Sequence, residues 1–287
     1  MDDVLTRADL LGRGWSARGI TGAVRAGTLI RLRNGHYATP TVDPAVRVAV
    51  RHGGRLACVS ELRRRGVWVL ASTVTHVQVA PNAARLRPVD DVVSHWHPLV
   101  DPAAASPSHV GVVDALVRAV ECLPRAQAVA AIDSALNSGL VARSALVLVR
   151  GNPRFAARLS EADPSAQSGL ETIVRLLARD LGLRVASQVR FPGIGIADLV
   201  VEGWIVIETD GSEFHDGEAT SSRDRGRDAR HAAAGRTALR FRFSQIVYDL
   251  PSVAAAVIGA VRTHRRVQNS GRIASVAQRR ARRIGLA

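Results

Sequence analysis

Lysine is missing from this 287-residue sequence, so all 39 basic residues are arginine. Chemistry that needs a catalytic lysine is thereby excluded, and recognition of paired phosphate oxygens by guanidinium forks is favoured. Cysteine is scarce. Cys58 and Cys122 have no CxxC spacing and cannot frame a chain of this size with disulfides, so they read as free buried thiols in a reducing cytosol. Aromatic residues make up 4% of the chain, too few for a base-stacking platform of the kind that reads RNA. Long apolar runs are also missing. The best candidates are broken by Asp114, Arg118 or Asp133, short of a bilayer span. The opening MDDVLTRADL is acidic and amphipathic, unlike a secretory leader. These absences lead us to expect a soluble, cytoplasmic protein with no membrane partner.

What the sequence has in excess is positive charge. Its formal net charge is +14 and its pI about 11.5, on a globular composition of 47% hydrophobic and 22% charged residues. Such a surplus is of no use to an enzyme of small neutral substrates but suits a binder of polyanions, double-stranded DNA above all. A charge carried only for solubility is the plainer alternative. The length allows two or three domains.

The periodicity divides the chain into an α/β, multidomain arrangement. In residues 1–42, Thr6 caps a helix over 7–12 and Ser16 caps a second running to about Ala26. Asn34-Gly35 then supplies a hairpin signal between short alternating runs. This is the layout of a winged helix, with Arg18 and Arg25 on the exposed face of the second helix and Arg31 and Arg33 on the wing. Residues 43–155 read as a mixed α/β middle domain, with helices near Pro44–His52, Val112–Leu123 and Gln127–Ser138. Strands are expected at Trp68–Leu70, Thr75–Val79 and Val92–Trp96. His76, His95 and His97 have no cysteine or carboxylate at ligand spacing, so they read as ordinary strand-face histidines. Asn152 to Gln167 reads as a boundary. Residues 165–263 give helix, three strands, basic helix and strand, and 264–287 form a loosely ordered basic tail with seven arginines.

The chemistry collects in this third region. Asp198 lies in IADLVV, Glu208 and Asp210 in WIVIETDG, and His215 just beyond. Glu208 and Asp210 are two apart on a strand and project from one face. Carboxylate oxygens suit Mg2+ or Mn2+, and phosphodiester hydrolysis needs such an ion. Asp198 faces Glu208 only if the turn between their strands holds three residues, Glu202-Gly203-Trp204, or a bulge. A two-residue turn sends it to the other face. That geometry is expected here. Glu171 is either a further acid of the site or the acidic half of a capping box begun by Ser168.

The order helix-with-acid, Asp strand, Glu-x-Asp strand, basic helix resembles the PD-(D/E)xK nuclease core of restriction endonucleases. VIETDGSEFHDGE and RDRGRD more narrowly resemble the very-short-patch repair endonuclease-like family. The resemblance implies a Mg2+-dependent DNA endonuclease with Asp198 as metal ligand and Glu208 at the family's acidic position. Thr209 would lend its carbonyl to the metal, and His215 would act as general base or water-positioning residue. Asp210 stands where most such nucleases have lysine, so Arg223, Arg225 or Arg227 would supply the positive charge, with Arg223 and Arg227 near phosphate. Residues 1–150, through LTRADLLGRGWSARGITGAVRAGTLIRLRNGHYATP, resemble the AbiEi-type antitoxins of type IV toxin–antitoxin systems. That likeness implies a DNA-binding winged helix, with a cognate toxin or a repair protein as partner. It also leaves open a transcriptional regulator whose nuclease core is silent.

Overall fold

The computed structural model describes the backbone of residues 4–84, 86–210 and 218–283, and the side-chain surroundings of 4–84, 86–210 and 226–267. The chain forms two compact units, Met1–Pro164 and Ser165–Ala287.

The first unit opens with β1 (Val4–Thr6), α1 (Arg7–Gly12) and α2 (Ala17–Arg25), followed by the hairpin β2 (Ile30–Arg33) and β3 (His36–Ala38). Thr6 and Asp9 cap α1 reciprocally, and the Ser16 hydroxyl accepts the Gly19 N–H to start α2. Gly35 turns the hairpin with φ of 74°, the conformation for which Asn-Gly turns are selected. Leu10, Ile20, Leu29 and Tyr37 close a small core between helices and hairpin. β1 carries no periodic signal of its own; it exists because β3 offers it an edge, giving the order β1-β3-β2.

The rest of this unit comprises α3 (Pro44–His52), β4 (Arg55–Leu56), α4 (Cys58–Arg64), β5 (Thr75–Gln78), β6 (Val92–His95), α5 (Val112–Cys122), α6 (Arg125–Asn137), α7 (Arg143–Val147) and α8 (Pro153–Glu161). β4, β5 and β6 form a second sheet in that order, its last pair parallel. Leu62, Leu116, Ile132, Leu146 and Phe155 pack the helices together. One expectation fails here. Trp68–Leu70 is not a strand: the Trp68 N–H goes to the Ser134 hydroxyl, and the Arg63 guanidinium takes the Leu70 and Ser72 carbonyls, so side chains satisfy the backbone that a ladder would have used. The stretch from Asn152 to Gln167, expected as a boundary, holds the division between the two units after Pro164 and also contains α8. Asn152 caps it by accepting the Phe155 N–H, and Pro153 sits at the first turn, where a missing N–H costs nothing.

The second unit runs α9 (Gly169–Asp180), β7 (Val185–Phe191), β8 (Gly195–Val201), β9 (Ile205–Asp210), α10 (Glu218–Ala233), β10 (Thr237–Arg242), α11 (Phe243–Tyr248) and α12 (Leu250–Arg283). Its sheet has the order β10-β9-β8-β7, antiparallel except for the parallel β9–β10 pair, which the crossover helix α10 connects. β8 and β9 are the central strands, and Leu199, Val201, Ile205 and Ile207 are wholly buried. Residues 264–283, expected as a loose arm, continue α12; the stretch holds no proline and is rich in alanine and arginine, both strong helix formers. Among the described residues no helix is long and apolar enough to cross a membrane.

Candidate metal centre at a strand fork

The turn between β8 and β9 holds the three residues that the sequence required. Val201 pairs with Ile205, Glu202 and Gly203 both take positive φ (53° and 82°), and the register continues through Leu199 opposite Ile207. One step further Asp198 stands across from Glu208. There the ladder stops, although both strands run on. The Asp198 carboxylate occupies the gap, its Oδ2 accepting the Thr209 N–H at 2.8 Å and the Thr209 hydroxyl at 3.2 Å. A side chain thus takes the place of a ladder carbonyl, and the two central strands fork at the acids.

Arg227 of α10 enters this fork. Its Nη2 donates to the Ile196 carbonyl of β8 at 2.6 Å and to Glu208 Oε1 of β9 at 2.7 Å, so one guanidinium bridges both prongs. The guanidinium lies against Gly195, with atoms 3.6–3.7 Å from where a Cβ would stand. Arg227 Nε is buried without a hydrogen-bond partner, and the side chain of Glu208 is 13% exposed. The next residue fixes the helix: Asp228 receives both Nε and Nη2 of Arg240 on β10, at 3.1 and 3.0 Å. His231, one turn on, packs edge-to-face on Phe191 of β7.

Glu171 reaches the same end of the sheet from the first turn of α9. It is 3% exposed, and its Oε2 accepts the Gln167 N–H at 3.0 Å and the Gln188 side-chain amide at 2.8 Å. The cap of α9 is made by Ser168, which accepts the Glu171 N–H, while the Glu171 carboxylate is engaged with Gln167 and Gln188. Gln188 was not anticipated. It lies between the Ser187–Leu199 and Val189–Ala197 pairs, across from Asp198, with φ of 52°, a left-handed conformation that is rare for a residue with a side chain. Nothing in sequence spacing signals it.

Burial pushes the Glu171 carboxyl above the ordinary carboxylate range; the bonds from Gln167 and Gln188 oppose that rise, and the charge of Asp198 adds to it. An acid raised in the folded state favours folding below its unfolded pKa, and that contribution is lost as pH rises through the folded value. At neutral pH the ionised Glu171 therefore costs stability. Glu171→Gln, which keeps an acceptor oxygen, is expected to raise Tm near pH 7, with the gain vanishing toward about pH 4. Thermal unfolding at the two pH values reads this, and a lowered Tm near neutrality contradicts it.

The four acids do not gather into one cage. Among the described residues, no three of Glu171, Asp198, Glu208 and Asp210 bring their oxygens together within ion-binding reach. Like charges repel, and the carboxylates have found donors instead: Thr209 for Asp198, Arg227 for Glu208, Gln167 and Gln188 for Glu171. The donor set nonetheless fits a hard cation. Mg2+ binds through one or two carboxylates and keeps several waters, and Asp198 and Glu208 are the carboxylates that stand on the facing prongs. Thr209, expected to lend a carbonyl, uses its N–H and hydroxyl on Asp198. His215 and the side chain of Arg223 lie outside the described residues.

In the first unit Arg18 and Arg25 are exposed on the face of α2 opposite Ile20, and Arg31 is exposed with its Nη2 on Asn34 Oδ1 at 2.7 Å. Arg33 departs from the expected wing position. It is half-buried, donates Nη1 to the Gly53 carbonyl at 2.9 Å and contacts His36, so it ties the hairpin to the end of α3. A scan against protein-family models finds no match for this chain, and a search of curated proteins returns none.

Proposed function

We propose that this protein is a metal-dependent DNA endonuclease in which a winged helix, residues 1–42, delivers a restriction-endonuclease-like core, residues 165–263, to double-stranded DNA. The observation that carries this reading is the fork, where two acids on facing central strands meet beside a guanidinium from the crossover helix. Asp198 and Glu208 would hold a hard cation there, which would lower the pKa of a bound water and offset charge on the leaving oxygen. The chain's own groups do the rest. Thr209 orients the Asp198 carboxylate, Glu171 holds Gln188 across from it, and Arg227 is placed to move from Glu208 to a scissile phosphate. Repair or defence against foreign DNA is the setting such an activity fits.

The test is nicking of supercoiled plasmid in Mg2+ or Mn2+, with none in chelator. Binding belongs to the arginines. Arg18→Ala and Arg25→Ala are each expected to lower the slope of log affinity against log salt by about 1, through loss of one phosphate contact apiece. A filter-binding salt titration measures it, and unchanged slopes in both variants remove α2 from the interface.

One observation favours a second reading, an antitoxin-like transcriptional regulator with a silent core. The Arg227–Glu208 ion pair satisfies internally the charge that a cation would otherwise balance. Tight retention on one operator, with no cleavage in any divalent ion, distinguishes it.

A further inference from the structure

Cys58, His76, His95 and Cys122 are separated by 18, 19 and 27 positions in sequence, yet the first unit brings one ligand atom of each to within 4.8 Å of all the others. They come from four elements: the first residue of α4, β5, β6 and the last residue of α5. We infer that this cluster is a tetrahedral Cys2His2 site for a soft or borderline divalent ion, zinc by preference, which staples α4 and α5 to the β5–β6 sheet. The inference is independent of the nuclease reading.

The geometry is close to that of a closed site. His76 Nδ1 and His95 Nε2 are 3.1 Å apart, and two imidazole nitrogens on one tetrahedral zinc stand about 3.3 Å apart. Thiolate sulfurs at about 2.3 Å from the ion would stand about 3.8 Å apart, and with all four ligand atoms within 4.8 Å of one another closure asks for an inward shift of at most about an ångström. The ligands are also held. The Ala57 N–H donates to the His76 carbonyl at 2.9 Å, the His76 N–H donates to the Ser60 hydroxyl at 2.9 Å, and Cys122 is hydrogen-bonded to both Cys58 and His76. Cys58 has φ of 52°, a left-handed conformation uncommon for a non-glycine residue, and Cys58 is wholly buried at this point.

The ligand chemistry chooses the ion. Two sulfurs and two imidazole nitrogens select zinc over magnesium or manganese, which prefer oxygen. Four protein ligands leave no open position, which marks a structural site rather than a catalytic one. Both cysteines are free thiols in this structure, Cys58 buried and Cys122 exposed rather than buried as expected, and the proposed site gives them and the two strand histidines a common role. Sequence could not supply it, because parallel pairing of β5 with β6 and the packing of α4 on α5 create the cluster.

The experiment is elemental analysis of the untagged, full-length protein, together with Co2+ exchange. About one zinc per chain is expected, with a thiolate-to-cobalt charge-transfer band after exchange. Cys122→Ser and His95→Gln should each lower the zinc content severalfold, and Asp198→Ala should leave it unchanged. Chelation of the wild type should lower Tm by roughly 5 °C or more. Circular dichroism of the variants separates ligand loss from unfolding. Three results overturn the inference: wild-type protein without zinc that fails to take up Co2+, zinc undiminished in folded variants, or a Cys58–Cys122 disulfide in protein purified without reductant.

Discussion

Replacing Asp198 by alanine is expected to lower Mg2+-dependent nicking by about 10²–10³-fold or more while changing DNA retention less than about twofold. Asp198 interrupts the β8–β9 ladder, and its carboxylate takes both the N–H and the hydroxyl of Thr209. Alanine removes one of two facing acids and leaves the Thr209 N–H without its acceptor, so the fork loses its ion ligand and part of its shape. Asp198→Asn separates these effects. It keeps an oxygen for Thr209 but removes the charge, and should fold as the wild type while remaining inactive. In the proposed function DNA retention rests on arginines elsewhere, including the exposed Arg18 and Arg25 of α2, and should survive either change. Parallel nicking and filter-binding assays read the split, and equal losses of binding and cleavage contradict the assigned role.

Arg227→Ala should produce two effects of opposite sign. The guanidinium competes with a cation for Glu208, to which it is bound at 2.7 Å. Its removal takes away a competing cation from that carboxylate, so the affinity for Mn2+ measured by calorimetry is expected to rise severalfold. Cleavage should nonetheless fall by about 10²-fold, because no lysine exists in the chain to take over the positive charge near the phosphate. Tighter metal binding with undiminished cleavage assigns Arg227 an inhibitory role. Loss of both assigns it a structural one, through its bond to the Ile196 carbonyl.

The parts of this arrangement that local pattern controls were legible in the sequence. The three-residue turn that pairs Val201 with Ile205 was expected because it alone, or a bulge, sets Asp198 opposite Glu208; alternation could not decide it, since Val200 and Val206 are buried as well as Leu199, Val201, Ile205 and Ile207. Caps at Thr6, Ser16 and Ser168 marked three helix starts, since each hydroxyl has a neighbouring N–H within three residues to accept. What escaped depends on distant partners. Gln188 matters only because β7 brings it opposite Asp198, and Arg33 turns inward only because Gly53 presents a carbonyl. Trp68–Leu70 has strand composition but finds Ser134 and Arg63 rather than a neighbouring strand. The separate acids of the fork follow the same rule. Spacing shows that carboxylates share an end of the sheet, while the donors available to each decide where they point.

The decisive measurement is anomalous scattering from crystals soaked in Mn2+. If Asp198 and Glu208 share one hard cation, a single manganese peak appears between their carboxylates and Arg227 leaves Glu208. If saturating Mn2+ leaves the fork without a peak and the Arg227–Glu208 pair in place, the core is silent and the protein's business with DNA ends at binding.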